Sequence, residues 1–416
     1  MGRETERIFF RKNSSLNELS VSMSKIDSVT FFTLSEYEEQ LVEFLDADVA
    51  QKIQRSGIVD LSRKVSGEFI IKADSKIGFI SVQGVQVNVT PRFPIYNIFY
   101  FLGLLDELKL DNEKVEISES DDFLTILFQS FIHSVASTTR RGLISGYVNR
   151  EDSLQVLRGR IDFSQQFKKN PGSYFPFQVS FDDFVEDIPE NQILKKALHI
   201  SLKFGLQNRK LRNQAQNLLF NFKDVTDVNQ VPVWNASRLN IHYWNALRLA
   251  ELIISGNGFH ENAGDVQISG FSIDMYKVFE DFVAKQLEER IKGSNDEVVT
   301  QKSLPLDVGG IYREKPDVIW YRNGKPFQVM DTKYKQPEGD TQQRDSLTDL
   351  RQVISYASLL GLKEAHLIYG VAGNARSIET RQEGITIHTH GLDLGLPPSE
   401  IENQLDSLVK SLNEKE

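Results

Sequence analysis

Hydrophobic and polar residues alternate over residues 85–90, where Val85, Val87 and Val89 are separated by Gln86, Asn88 and Thr90. A period of two predicts a strand with one buried face. Gly84 supplies the turn from a preceding strand at Lys76–Val82, and a helix is expected near 36–54. Residues 1–115 therefore form a mixed, β-rich block. The period lengthens after it. Asp187, Pro189 and Glu190 read as a helix start, and Ile193, Leu194, Ala197 and Leu198 mark one buried helical face. Residues 116–265 are expected to be mostly helical. In residues 266–416 the order is sharper: a helix at 273–291, strands at 298–302, 317–321 and 327–334, a helix at 346–360 stopped by Gly361, and a strand at 366–370. This αβββαβ succession predicts a mixed sheet flanked by helices, in an α+β chain of three domains.

Composition narrows the setting. The 416 residues are 40% hydrophobic and 25% charged, with 27 Phe and 12 Tyr to fill cores. The chain has no cysteine, which excludes disulfides and thiolate metal sites. The longest apolar run, 98–105, suits a core helix rather than a membrane span. The N-terminal MGRETERIFF lacks a secretory pattern, and Glu6 breaks the myristoylation pattern, so a cytoplasmic location is expected. A net charge of −10 argues against a protein that grips nucleic acid unaided over a long tract, and favours a subunit held there by a partner. One local exception is 195–212, where Lys195, Lys196, Lys203, Arg209, Lys210 and Arg212 occur without an acidic residue. That segment lies along a phosphate backbone, on an acidic partner, or simply in solvent.

The candidate chemistry sits in a hairpin that opens with Lys315-Pro-Asp317 and closes with Asp331-Thr-Lys333. Side-chain alternation puts Phe327, Val329, Asp331 and Lys333 on one face, so a carboxylate and an ammonium follow two apolar residues into an enclosed region. A lone charge there would be costly, and Asp331 and Lys333 need partners or a metal. The turn decides where Asp317 points. A two-residue Asn323–Gly324 turn with regular pairing sends it to the wrong face. A three-residue loop over 322–324, or an equivalent bulge, sets Asp317 opposite Val329 and diagonal to Asp331. Two such carboxylates suit Mg²⁺, or Mn²⁺ in its place, which neutralises phosphodiester charge and acidifies water. The neighbouring lysine orients water and balances developing negative charge.

The pattern P-D, a spacer and D-x-K resembles the PD-(D/E)xK nuclease superfamily. That resemblance implies an auxiliary acidic residue and metal ligand on the preceding helix, Glu280 in Phe279-Glu-Asp-Phe282, with Asp281 as a rival. It also implies a Q-x-x-x-Y element, matched by Gln352 and Tyr356, in which the glutamine supports the site and the tyrosine approaches DNA. Further motifs, Val89-Thr-Pro-Arg-Phe93, Leu157-Arg-Gly-Arg-Ile-Asp162, Phe181-Asp-Asp-Phe184, Glu190-Asn-Gln-Ile-Leu-Lys195 and Tyr276-Lys-Val-Phe-Glu-Asp-Phe282, make residues 65–370 similar to the McrC family. Arg158, Arg160 and Asn191 within them are expected to make structural hydrogen bonds. The family's usual Arg before Pro-Asp is Lys315 here. The resemblance implies the Mg²⁺-dependent endonuclease subunit of a system that restricts DNA containing 5-methylcytosine. It also implies a McrB-like AAA+ GTPase partner docked on the N-terminal region, duplex DNA as substrate, and homodimerisation within the complex. The absence of G-x-x-x-x-G-K-[ST] agrees with GTP hydrolysis residing elsewhere. His388 and His390 are expected as an exposed strand pair rather than zinc ligands. Two other readings are a stand-alone repair or anti-phage nuclease and a non-catalytic adaptor of an AAA+ ring. The intact Asp/Asp/Lys set weighs against the adaptor.

Overall fold

A computed structural model describes residues 30–43, 45–104, 123–204, 209–257, 262–263, 266–291, 295–334, 342–370, 376–379 and 384–413. The chain divides differently from three consecutive blocks. One compact unit joins residues 1–105 to 259–416, and residues 106–258 form the other. The reason is a strand pairing: Lys76–Val82 runs antiparallel to Val266–Asp274 along seven residues, from Ile268↔Val82 to Asp274↔Lys76. The ladder belongs to a five-stranded sheet that also holds Thr30–Ser35, Val85–Thr90 and Asn262–Ala263. Gly78, at φ +136°, is required there because a Cβ would lie 2.0 Å from the Phe271 carbonyl oxygen.

The alternation at 85–90 does form a strand, with Val87 and Val89 buried. The helix expected over 36–54 is shorter. Glu39–Val42 is a strand, paired with Phe69–Ala73 in a three-stranded sheet completed by Val59–Arg63. The helix begins only at Ala47, where the Asp46 carboxylate accepts from the Asp48 and Val49 amides, and spans Ala47–Ser56. Its Val49, Ala50 and Ile53 pack with Leu34, Ile71 and Val87 into a continuous core. Residues 98–101 of the expected core helix lie in helix Ile95–Phe101, where Ile98, Phe99 and Phe101 are buried.

The C-terminal part of this unit is a six-stranded mixed sheet. Its order is Asp296–Thr300, Val318–Arg322, Lys325–Lys333, Glu364–Tyr369, Thr386–Gly391 and Arg376–Glu379. The first three strands are antiparallel neighbours, whereas Lys325–Lys333, Glu364–Tyr369 and Thr386–Gly391 run parallel. Helix Gln342–Leu360 covers one face through Val353, Ile354 and Ala357, which pack on Ile319, Val329, Leu367 and Ile387. Helix Met275–Arg290 lies against Lys325–Lys333, and Pro398–Asn413 packs on that helix through Arg290, which pairs with Glu402 and with Asp406 at 2.8 Å. The sequence did not signal Arg376–Glu379 or Pro398–Asn413, whereas the strand expected at His388 and His390 is Thr386–Gly391. The expected exposed histidine pair is corrected: parallel pairing sets His366 beside His388, and its Nδ1 lies 3.1 Å from His390 Nε2, so three imidazoles cluster partly or fully buried.

The described residues of the second unit are mostly helical, as expected, with a small sheet that the sequence did not signal. Helices Phe123–Thr138, Pro189–Lys203, Arg209–Asn221 and Trp244–Gly256 do enclose a core containing Phe131, Leu194, Leu198 and Leu247. A three-stranded antiparallel sheet, ordered Gly146–Leu154, Phe177–Val185 and Arg160–Ile161, is added to them. The basic segment turns partly inward: Lys195 Nζ donates to the Val225 carbonyl (2.7 Å) and Lys196 Nζ to that of Val228 (3.2 Å), both on a loop. Two of its six cations are therefore structural. Arg158 meets Asp183 (2.7 Å), and Asn191 donates to the Ile144 and Glu186 carbonyls.

Within the first unit the end of the Lys325–Lys333 strand is held by residues far away in sequence. The Tyr334 hydroxyl meets both oxygens of Glu36 at 3.0 Å, and the Tyr37 hydroxyl donates to the Tyr334 carbonyl at 2.6 Å. Arg92 stacks over Tyr37, Phe93 and Tyr334 and donates to the Gly370 carbonyl at 3.2 Å. Glu36 is 4% exposed, and burial pushes its carboxyl up to about 7, against the hydrogen bond and charge of Arg92. An acid whose folded pKa is raised binds more protons folded than unfolded, so its contribution to stability declines as pH rises from about 4.5 through about 7. Glu36→Gln is expected to gain on wild type by about 2–3 kcal/mol between pH 5 and pH 8. Urea denaturation at both pH values checks this, and a constant difference would remove the titration from Glu36.

Candidate active site

The hairpin turn is Asn323–Gly324, both left-handed at φ +53° and +73°, with Arg322 paired to Lys325. The expected three-residue loop is thus corrected to two residues. The register nevertheless shifts: Tyr321 pairs with Pro326, but Trp320 pairs with Gln328, leaving Phe327 as a bulge. The equivalent bulge was the other form of the expectation, and it has the required effect. Beyond it Ile319 faces Val329 and Val318 faces Met330. Continuing that register sets Asp317 directly opposite Asp331 rather than diagonal to it. The two lie on the face that carries Ile319 and Val329.

Asp317 and Asp331 are 5% and 1% exposed, and Lys333 is 6% exposed. Thr332 donates to Asp317 Oδ2 through its backbone N–H (2.7 Å) and its hydroxyl (2.8 Å), which fixes that carboxylate against the neighbouring strand. Asp317 Oδ1 accepts from the Gln301 amide at 2.9 Å, and the same nitrogen donates to Glu280 on helix Met275–Arg290. On the other side, Lys333 Nζ lies 2.6 Å from Asp331 Oδ2 and donates to Gln352 Oε1 at 2.9 Å. Gln352 Nε2 donates to the Tyr356 hydroxyl at 2.6 Å, which donates to the Lys315 carbonyl at 3.3 Å. The structure therefore brings Glu280, Asp317, Asp331, Lys333, Gln352 and Tyr356 into one neighbourhood.

Two details refine the residue assignments. Tyr356 is 2% exposed, with its hydroxyl engaged on Gln352 and the Lys315 carbonyl. Glu280 is the acid that turns inward; Asp281 is exposed beside it. Gln301, Thr332 and Tyr276, whose hydroxyl donates to the Thr332 carbonyl at 3.1 Å, carried no role in the sequence reading. Thr332 could have been suspected as the spacer inside Asp-Thr-Lys. Gln301 offers no sequence signal, because its position depends on a left-handed φ of +49° at a strand end.

The electrostatics follow from crowding acids in a dry place. Burial and then the Asp317 charge push Asp331 up to about 6, although Lys333 opposes both. Burial and Asp317 likewise raise Glu280 to about 7, against the Gln301 hydrogen bond. Burial disfavours the Lys333 ammonium, but the charge and close approach of Asp331, with Tyr276 and Asp349, together outweigh it and hold the lysine protonated. The Lys333 contact to Asp331 Oδ2 is one of charge, since that buried oxygen receives no hydrogen bond of acceptable direction.

Among the described residues no group of three or more His, Asp or Glu side chains forms a ready-made metal cage. The donor set still fits a hard divalent cation. Asp331 Oδ2 is a buried oxygen without a hydrogen-bond donor, all candidate ligands are oxygens, and Mg²⁺ is commonly held by one or two carboxylates and water. A shallow cleft of about 210 Å³, lined by Glu280, Asp281, Thr300 and Gln301 among others, opens beside the acids.

A mixed sheet that buries two facing carboxylates and a lysine defines a chain equipped for acid–base or cation-assisted chemistry. Comparison with known proteins identifies the family: residues 71–370 match the model of the McrBC 5-methylcytosine restriction system component, and the chain belongs to that family. It is 22% identical over 262 residues to the type IV methyl-directed restriction enzyme EcoKMcrBC of Escherichia coli (strain K12), covering 59% of this chain and 74% of the relative. It shares its fold with a chain in the half-complex of the tetradecameric assembly of Thermococcus gammatolerans McrB AAA+ hexamers with bound McrC. The TM-score is 0.57 at 19% identity, over 92% of this chain and 100% of the other. No helix among the described residues is long and apolar enough to cross a membrane.

The buried acid cluster has a cost that a substitution can remove. Asp331 ionises only against a pKa raised from 3.8 to about 6, so its charge disfavours folding as pH rises through that interval. Asp331→Asn removes that titration but leaves Lys333 without its counter-charge, so in EDTA its stability relative to wild type is expected to shift in the variant's favour by about 1–2 kcal/mol between pH 5 and pH 8, whatever its absolute level. Lys333→Ala should lower the melting temperature at pH 8, because the buried carboxylates lose their counter-charge. Differential scanning calorimetry of both variants at pH 5 and pH 8 is the check, and an Asp331→Asn difference that does not change with pH would contradict this electrostatic account.

Proposed function

We propose that this chain is the Mg²⁺-dependent DNA endonuclease subunit of a McrBC-type restriction complex. The observation that carries the reading is the facing pair Asp317 and Asp331, with Lys333 beside them and one buried carboxylate oxygen lacking a donor. The order of helix Met275–Arg290, three antiparallel strands, helix Gln342–Leu360 and parallel strand Glu364–Tyr369 supports a PD-(D/E)xK core. Membership of the 5-methylcytosine restriction family supports DNA containing modified cytosine as the substrate. The solved relative, McrC bound to McrB AAA+ hexamers, supports a GTPase ring as the partner, whose GTP hydrolysis this chain would stimulate.

Asp317 and Asp331 would hold the cation, with Glu280 as an auxiliary acid. When bound, such an ion supplies charge neutralisation at the phosphodiester and makes nearby water more acidic. The remaining work belongs to the chain. Lys333 carries a permanent positive charge at the floor of the site, where it can orient water and offset negative charge developing on phosphorus oxygens. Gln352 fixes the lysine's direction, and Tyr356 fixes Gln352. Thr332 restrains Asp317 so that the acid need not reorganise during reaction. Glu280, at about 7, can hold or release a proton near neutral pH.

The test is cleavage of methylated and unmethylated plasmid, with and without the co-purified AAA+ GTPase, in Mg²⁺ and in EDTA. Cutting is expected only with methylated DNA, GTPase and Mg²⁺ together. Asp331→Ala should abolish it while leaving ring binding intact by size-exclusion chromatography, and Lys333→Ala should slow it on the order of 10²–10³-fold. Ionised acids are needed to hold the cation, so the wild-type rate should fall as pH drops below about 7 and then about 6. Wild-type cutting in EDTA, or by Asp331→Ala, would refute the assignment. Cutting without the GTPase would leave the nuclease and remove the partner.

A further inference from the structure

Gln301 stands where strand Asp296–Thr300 ends, outside every motif that pointed to the site. It is not glycine, yet its φ is +49°, a left-handed conformation that costs an ordinary residue energy and persists where the surroundings impose it. Three bonds do so here. The Gln301 backbone N–H donates to the Asp317 carbonyl at 3.1 Å. The side-chain amide nitrogen donates to Asp317 Oδ1 at 2.9 Å and to Glu280 Oε1. The orientation of the amide is forced by chemistry: both neighbours are acceptors, and only the –NH₂ end carries two hydrogens. One neutral amide thus bridges Glu280 Oε1 and Asp317 Oδ1, the Asp317 oxygen that Thr332 does not bond, and a cation shared by the two acids would compete for the same oxygens. Gln301 is itself exposed, and with Glu280 it lines the open cleft, so its side chain has space in which to withdraw.

We propose that Gln301 is a positioning residue that clasps Glu280 and Asp317 together while no cation is present, and yields that place when a divalent cation binds. The clasp keeps two mutually repelling acids at the spacing a cation needs, and its release exchanges two amide hydrogen bonds for ionic ones. This rests on reading the acids as a cation site, and the experiment separates the two. Full-length wild type, Gln301→Leu, Gln301→Glu and Gln301→Gly are stripped with EDTA and titrated with Mn²⁺ in the absence of DNA. Isothermal titration calorimetry and thermal melts are recorded on each. Gln301→Gly relieves the left-handed strain while deleting the amide, so it reports on the clasp even if the leucine variant folds poorly.

All three variants are expected to give up melting temperature relative to what their backbone allows in EDTA, and to gain more from saturating Mn²⁺ than wild type does. Gln301→Glu should bind Mn²⁺ about tenfold more tightly, because a further carboxylate adds ligand charge. A Mn²⁺-induced gain no larger in any variant than in wild type would overturn the clasp and leave Gln301 a purely structural residue. Wild type that binds no Mn²⁺ would overturn the cation site and the clasp together. Wild type that binds while the variants match its isotherm would overturn the clasp alone.

Discussion

A carboxylate as enclosed as Asp331 is tolerable only because an ammonium stands two residues further along the same strand face. Lys333 is the cation that offsets Asp331 against the charge of Asp317, and the rest of the site follows from keeping that pair in place. Gln352 occupies the lysine's next hydrogen bond, Tyr356 occupies the glutamine's, and the Lys315 carbonyl ends the series at the residue before Pro316 and Asp317. The series returns to the strand that holds the second acid. A displacement of any member would be felt at both carboxylates, which is the behaviour expected of a fully connected polar network in a low-dielectric setting.

The opposite pole of the site is softer. Glu280 and Gln301 are partly or fully open to solvent, and Glu280 reaches Asp317 only through the side-chain amide of Gln301. One acid is therefore locked by Thr332 and sheet pairing, while the other hangs from a helix across a cleft. Rigid ligands on one flank and an adjustable one on the other allow a site to accept a hard ion without first paying for a full cage of uncompensated charge.

The sequence disclosed the chemistry better than the architecture. Asp317, Asp331 and Lys333 were legible because a two-residue period and the need to compensate buried charge act locally. The position of the bulge was not, since Phe327 is displaced by packing rather than by any turn residue. Gly146–Leu154 escaped because most of its side chains are exposed, so no apolar alternation marks it. Glu39–Val42 read as helix by composition and became strand through its partner Phe69–Ala73, a tertiary override of weak local preference. The union of 76–82 with 266–274 joins residues nearly two hundred positions apart, and no local pattern reports such a pairing.

That union has a consequence for how the molecule is made. The strand that completes the five-stranded sheet emerges from the ribosome only after all of residues 106–258, and it leads straight into helix Met275–Arg290. The first hundred residues must wait, with the edge of Lys76–Val82 unpaired, while the intervening unit is synthesised and can fold by itself. Long-range pairing of this kind is slow to form and exposes strand edges meanwhile. Glu280, Asp317, Asp331 and Lys333 all follow Val266–Asp274 in the chain, so the acid cluster assembles only late in synthesis.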